Sequence, residues 1–176
     1  MTDIYKKIIA LLDEHGIKYD TQHHEPTVTS EDASRVRGVS LHAGAKALVL
    51  RGEKTKTHWL FVMPADLRVD TKKIQAIVGE RVSFAPDPET VTQCTKGSVP
   101  PLGSIIGLKT YCDAHLAENE QIHFNAGSLT DSVTMRYEDY IALEHPELID
   151  ITQPDPTTLS PVTPPATPDP TLPGNP

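Results

Sequence analysis

KALVLRGEKTKTHWLFVM, residues 46–63, is the stretch on which the fold turns. Lys46–Leu50 is apolar apart from its lysine and reads as a strand. Trp59–Met63 has no polar alternation at all and reads as a fully buried strand. The polar Gly52–Thr57 between them makes a hairpin turn. The chain on either side alternates strands and helices irregularly. One clear hairpin in such a pattern argues against a regular doubly wound fold and for a mixed α/β (α+β) domain, a mixed sheet with helices packed on it.

Upstream, Ile4, Ile8, Leu11 and Leu12 recur at helical spacing, with Thr2 or Asp3 as cap and Gly16 as left-handed stop. A short extended piece follows at 17–21. Thr29-Ser30-Glu31-Asp32 opens a second helix that breaks at Gly38. Downstream, Asp70 caps a helix over 71–78 that ends at Gly79, and 82–85 is a brief strand. Asp87-Pro88-Glu89 starts another helix, with a cap, a first-turn proline and an acid at the positive end. The segments 105–111, 121–125 and 132–136 are strand-like. A short helix is expected over 113–117 and a final one over 138–144, halted by Pro146.

The apolar fraction is 38%, below the roughly 45–50% of an average globular chain. The deficit is concentrated at the end, where residues 153–176 are mostly Pro, Thr and other small or polar types. Such a segment cannot build a core. The expected organisation is therefore a folded domain over 1–152 and an extended Pro/Thr-rich tail over 153–176.

A net charge of -8 argues against a protein devoted to non-specific nucleic-acid binding, while leaving room for a local basic patch. Lys6/Lys7, Lys54/Lys56 and Arg68/Lys72/Lys73 are candidate pieces of one, each also readable as solvated surface. No apolar run approaches the roughly 20 residues of a membrane span, and the N-terminus has no signal-peptide pattern. These readings predict a cytoplasmic protein without membrane contact. Cys94 and Cys112 lack metal-ligand spacing and read as small buried hydrophobes. His23-His24, the only close histidine pair, would point to opposite faces of a strand, so no metal or other cofactor is expected.

Phosphate-binding glycine loops, dinucleotide fingerprints and nucleophile elbows are all missing. Three features are odd for plain structure. Lys46, in so apolar a run, must either reach a cavity or snorkel at a strand edge. In Gly97-Ser98-Val99-Pro100-Pro101-Leu102-Gly103 two prolines fix a backbone that two glycines let approach a ligand, so backbone amides could surround a carbonyl or oxyanion. A rigid connector is the plainer reading of that loop. Phe124-Asn125-Ala126-Gly127-Ser128 runs from a strand into a turn.

Taken together these segments are more specific. His24 and Thr29 after the first helix, Gly44-Ala45-Lys46-Ala47-Leu48-Val49 after the second, then Gly97–Gly103 and Phe124–Ser128 resemble, in order and spacing, the YbaK-like aminoacyl-tRNA deacylases. That family includes the editing domain associated with prolyl-tRNA synthetases. The resemblance runs from about Ile4 to Leu148. It is closest to the freestanding YeaK-type branch, to which Asp139-Tyr140 and Pro146-Glu147-Leu148 are also similar. It implies a curved mixed sheet flanked by helices and hydrolysis of the ester bond of a mischarged tRNA carrying a small amino acid (Ser, Thr, Ala or Cys), in trans and without a metal. The family's functional lysine falls on Lys46 and the first glycine of its loop on Gly97. His24, Thr29, Ser98, Val99, Pro100, Pro101, Gly103, Gly127 and Ser128 are the implied substrate-binding positions. The implied ligand is the 3′-terminal aminoacyl-adenosine of tRNA, with an aminoacyl-tRNA synthetase as a further candidate partner. A catalytically silent binding module of the same fold is the alternative. Some alanine-editing members carry Asn directly after the lysine, where this chain has Ala47.

Overall fold

Thr2 starts the first helix: its hydroxyl accepts the Tyr5 amide at 3.1 Å. Helix α1 (Asp3–Glu14) buries Ile4, Tyr5, Ile8 and Leu12 on one face and ends at Gly16, which adopts a positive φ. The computed structural model describes residues 2–27 and 29–153. Strand β1 (Tyr19–His23) leads to α2 (Ser30–Arg37), capped by the Thr29 hydroxyl and closed by left-handed Gly38. Strands β2 (Ala45–Gly52) and β3 (His58–Pro64) form the hairpin read from the sequence, paired antiparallel from Ala45↔Pro64 to Arg51↔His58.

Helix α3 (Thr71–Val78) begins on Asp70, whose carboxylate takes two amides, and stops at Gly79. Then come β4 (Val82–Phe84), α4 (Pro88–Thr92), α5 (Gly103–Ile106) and β5 (Lys109–Asp113). A 3-10 turn (Ala114–Glu118), β6 (Gln121–Asn125), β7 (Asp131–Arg136), α6 (Tyr137–Glu144) and β8 (Glu147–Ile149) complete the order.

The strands form two sheets. Five lie in the order β4-β2-β3-β5-β8, antiparallel from β4 to β3 and parallel from β3 to β8. The other three, β1-β7-β6, are wholly antiparallel. A parallel bridge between Gly44 and His123 joins the two where β2 begins. The mixed architecture expected from the hairpin is present, divided between two sheets. Period two on β2 explains how helices cover both faces of the larger one. Ala45, Ala47 and Val49 face the main core with α1, β6, β7 and Tyr140. Leu48 and Leu50 face a second cluster with Phe61, Ile74 of α3 and Tyr111. Each such large apolar side chain contributes on the order of 1.5–3 kcal/mol by leaving water.

One expectation is corrected and one strand is added. The run 105–111 is not one strand: Ile105 and Ile106 close the short α5, Gly107 turns left-handed, and the strand starts at Lys109. Gly103 allows this, because a Cβ there would collide with the Leu108 carbonyl and the Thr110 hydroxyl. Beyond Pro146, β8 adds a three-residue edge that the sequence reading did not include. The tail read over 153–176 lies, beyond Gln153, outside the described residues.

Candidate active site

Strand β2 has a half-open edge. β3 pairs its full length on one side, whereas on the other β4 reaches only Leu50–Gly52. Ala85 adds one bond to the Val49 carbonyl, and the Gly44–His123 bridge closes the far end. Between these limits the β2 edge faces a cavity of about 930 Å³. Helix α2, the segment 39–41, the end of β4 with Pro86 and Pro88, the 95–99 loop and the end of β6 complete its wall.

The charge of that wall opposes the charge of the chain. Arg37, Lys46 and Lys96 line it, and no carboxylate does among the described residues, although the protein carries -8 overall. Lys46 projects from the face of β2 that also carries Leu48 and makes no hydrogen bond or ion pair among the described residues. A strand-edge cation beside a carboxylate-free wall sets a local positive potential suited to an anion or a developing negative charge.

Arg37 and Asn125 form a strap across the cavity floor. The Arg37 guanidinium donates to Asn125 Oδ1, and Asn125 Nδ2 donates to the Gly97 carbonyl at 2.8 Å. The last turn of α2 is thereby tied to the 95–99 loop through the end of β6. Burial pushes the Arg37 pKa down to about 10, so it remains cationic at neutral pH, and its Nε has no partner among the described residues. Burial, with Arg37 nearby, pushes the His123 pKa down, which favours a neutral ring; that ring is held by Thr134 Oγ1 at 2.7 Å.

The loop itself is fixed from behind. Ser98 is fully buried; its amide and hydroxyl both donate to the Thr95 carbonyl, at 2.9 Å and 2.8 Å. Its own carbonyl accepts the Gly127 amide at 3.0 Å. The Tyr140 hydroxyl donates to the Pro101 carbonyl at 3.0 Å. Among the described residues the amides of Gly97 and Val99 meet no protein acceptor. With the Thr95 amide, which has none either, they are the donors of the 95–99 loop that this anchoring leaves free.

Of the positions singled out from the sequence, Thr29, Lys46, Gly97 and Val99 line the cavity. The Thr29 hydroxyl caps α2 and donates to Asp32 at 2.8 Å. Ser98, Pro100, Pro101 and Gly103 lie behind the wall, buried. Gly127 has φ 75° and sits against α1, where a Cβ would come within 2.6 Å of Ile4 Cγ2. Ser128 caps its turn through the Asp131 carboxylate at 2.7 Å. His24 is enclosed by the Glu25 carbonyl and Ser132 Oγ. None of Lys6/Lys7, Lys54/Lys56 and Arg68/Lys72/Lys73 lines the cavity; Lys73, for example, is spent on Asp150 at 2.7 Å. Arg37, Asn125, Lys96 and Phe84 are among the lining residues that sequence reasoning did not select as site residues. Asn125 lay inside a quoted motif, but nothing in sequence assigned it a partner. Cys94 and Cys112 are buried and free, with burial raising both thiols, Cys112 to about 12. Asp113, His115 and Asp150 do converge, away from the cavity. Asp113 there holds His115 and the Ile151 amide, and Asp150 holds Lys73.

The chain is similar to known proteins over most of its length. The family model for the aminoacyl-tRNA editing domain matches residues 24–143. The multifunctional Ser/Thr-tRNA deacylase ProXp-y of Escherichia coli strain K12 is 34% identical over 151 residues, 82% of this chain and 90% of its own length. The prolyl-tRNA editing protein ProX of Acetoanaerobium sticklandii is 28% identical over 144 residues, 78% of this chain and 88% of its own. A crystal structure proposed as a trans-editing enzyme for prolyl tRNA synthetase superposes with a TM-score of 0.75 at 22% identity, over 88% of this chain and 99% of that one.

Proposed function

The chain belongs to the aminoacyl-tRNA editing domain family, and from that premise we propose that Lys46 and the Gly97–Pro101 loop are the working parts of a trans-editing deacylase. The enzyme hydrolyses the ester that links a wrongly attached small amino acid, serine, threonine, alanine or cysteine, to the 3′-terminal adenosine of tRNA. The relatives' recorded substrates, seryl- and threonyl-tRNA for one and prolyl-tRNA editing for the other, support this substrate class. The observation that carries the assignment of parts is convergence. A lysine and loop amides, from segments some fifty residues apart, meet on one cavity, where among the described residues those amides have no acceptor and the wall has no carboxylate.

An aminoacyl ester is already activated, so hydrolysis needs orientation of the ester and stabilisation of charge more than a protein nucleophile. Water attacks the ester carbonyl, and its oxygen takes on negative charge. The Gly97 and Val99 amides donate to that oxygen from a backbone held by Ser98, Asn125 and Tyr140. Lys46 orients the substrate and offsets the same charge. The leaving group is the ribose hydroxyl of the tRNA. Discrimination among small side chains is modest in such a site, since one methylene is worth only about 1–3 kcal/mol.

No helix among the described residues is long and apolar enough to cross a membrane, and a cytoplasmic role beside translation is part of the proposal. So is docking to an aminoacyl-tRNA synthetase, for which the test is whether deleting 153–176 abolishes complex formation while deacylation persists. For the activity itself, the wild-type chain is incubated with a panel of mischarged tRNAs. Release of a small amino acid from at least one is expected. An intact ester in every case sinks the proposal.

A further inference from the structure

Among the described residues Phe84 is the one large aromatic exposed on the cavity rim: 58% of its surface meets solvent, whereas Phe124, the other phenylalanine of the lining, is 2% exposed. Ile77 and Leu148 are also exposed, but neither lines the cavity, and of the three only Phe84 stands at its mouth, where a ligand would meet it. It lies at the end of the edge strand β4, opposite Leu50. Lys46 is four residues back along β2, which sets it roughly 13 Å away at the rise of a strand. That separation is beyond the reach of a small aminoacyl group held at Lys46 and within the reach of the nucleotides attached to it. Pro86 and Pro88 continue the same rim, Lys96 stands on it as an exposed cation, and Arg37 faces it from α2. An aromatic face on a cavity that also carries cations and, among the described residues, no carboxylate is an arrangement suited to single-stranded nucleic acid: bases stack on the ring and phosphates meet the cations.

We propose that Phe84 is a stacking platform for a nucleobase of the single-stranded 3′ end of tRNA, with Lys96 beside it for the adjoining phosphate. The proposal rests on the deacylase reading of the cavity and adds to it a second foothold, outside the ester-cleaving parts. Phe84 therefore governs capture of the substrate and not the rate of ester cleavage once it is bound. The ring is exposed, so its replacement leaves the fold intact.

The experiment compares Phe84→Ala, Phe84→Leu and Phe84→Trp in the full chain on a tRNA mischarged with serine. Removal of the ring raises KM about tenfold, in the range of base–aromatic stacking, and changes kcat less than threefold. Leu restores little, and Trp restores the wild-type KM. In a second measurement the single-stranded trinucleotide CCA quenches the indole fluorescence of the Phe84→Trp chain and leaves that of the wild-type chain unchanged. An unaltered KM in Phe84→Ala, full rescue by Leu, or no quench by CCA overturns the platform. So does a Phe84→Ala chain that changes from dimer to monomer in sedimentation, because the ring then serves contact between copies. Failure of the wild-type chain on every mischarged tRNA is a different result. It removes the deacylase reading, and the CCA quench then reads the platform on its own.

Discussion

Replacing Asn125 by Ala cuts the strap between α2 and the loop at both ends. The Nδ2 bond to the Gly97 carbonyl is a neutral one, worth about 1 kcal/mol net. The Oδ1 bond from Arg37 involves a charge, in the class worth about 1.5–3 kcal/mol. Asn125 is only half-buried at the cavity wall, so water recovers part of both, and the expected loss is about 2 kcal/mol. For a chain of this size that corresponds to a fall in Tm of about 4–8 °C. The catalytic effect is separate, because the strap positions the loop that carries the Gly97 and Val99 amides. A loop displaced by even about 1 Å lowers kcat by as much as a hundredfold, so a fall of about ten- to a hundredfold is expected. Asn125→Asp distinguishes the two roles. Its carboxylate pairs well with the Arg37 guanidinium and preserves Tm, but it cannot donate to the Gly97 carbonyl and repels it. Calorimetry and single-turnover deacylation read these quantities independently. If Asn125→Ala melts as wild type does, or Asn125→Asp keeps full kcat, the strap does not position the loop.

Two further outcomes follow from individual contacts. Gly127→Ala places a Cβ on a left-handed backbone and against Ile4 Cγ2, so denaturant unfolding should show a loss of more than about 2 kcal/mol; a Cm within error of wild type contradicts this. His123 has its folded pKa below the usual 6.5 because it is buried near Arg37. The unfolded chain therefore takes up this proton first as pH falls, and stability is lost below about pH 6.5, continuing until the folded ring also titrates. Urea titrations between pH 7.5 and 5 should show that loss reduced in His123→Asn, and an identical slope in both chains rejects the assignment.

Much of the fold was legible because its boundaries are written in local chemistry. Thr29 and Gly38, Asp70 and Gly79, and Asp87-Pro88 bracket their helices in sequence as in space. The hairpin of β2 and β3 was equally plain from its two apolar runs. Local rules failed where a long-range contact decides. Ile105 and Ile106 look like strand, and only the fit of Gly103 against Leu108 and Thr110 makes them a helical turn. β8 is an edge of three residues whose partner lies at Tyr111–Asp113.

The site divides in the same way. Lys46 stands out because its apolar neighbours make it anomalous, and the proline-fixed loop because of its composition. Arg37 sits in SEDASRVR, a helix of which only the start and the stop were singled out in sequence; its half-buried position goes with its bond to Asn125 at the end of β6. Asn125 gains its meaning from Gly97, 28 residues away. Phe84 was one residue of a brief strand, with no sign in sequence that the ring remains exposed. Several positions implied by family resemblance, including Ser98, Gly103, Gly127 and His24, sit behind the cavity wall, where their visible contacts are those of a scaffold.

The central claim is that Lys46 and the loop amides together hydrolyse the ester of a mischarged tRNA. The measurement that tests it most directly is single-turnover release of serine or threonine from mischarged tRNA by the wild-type chain and by Lys46→Ala, with melting curves on both. Hydrolysis by the wild type is expected, with a loss of about a hundredfold in Lys46→Ala, the scale of removing one stabiliser of an oxyanion, and a nearly unchanged Tm. Full activity in Lys46→Ala contradicts the claim.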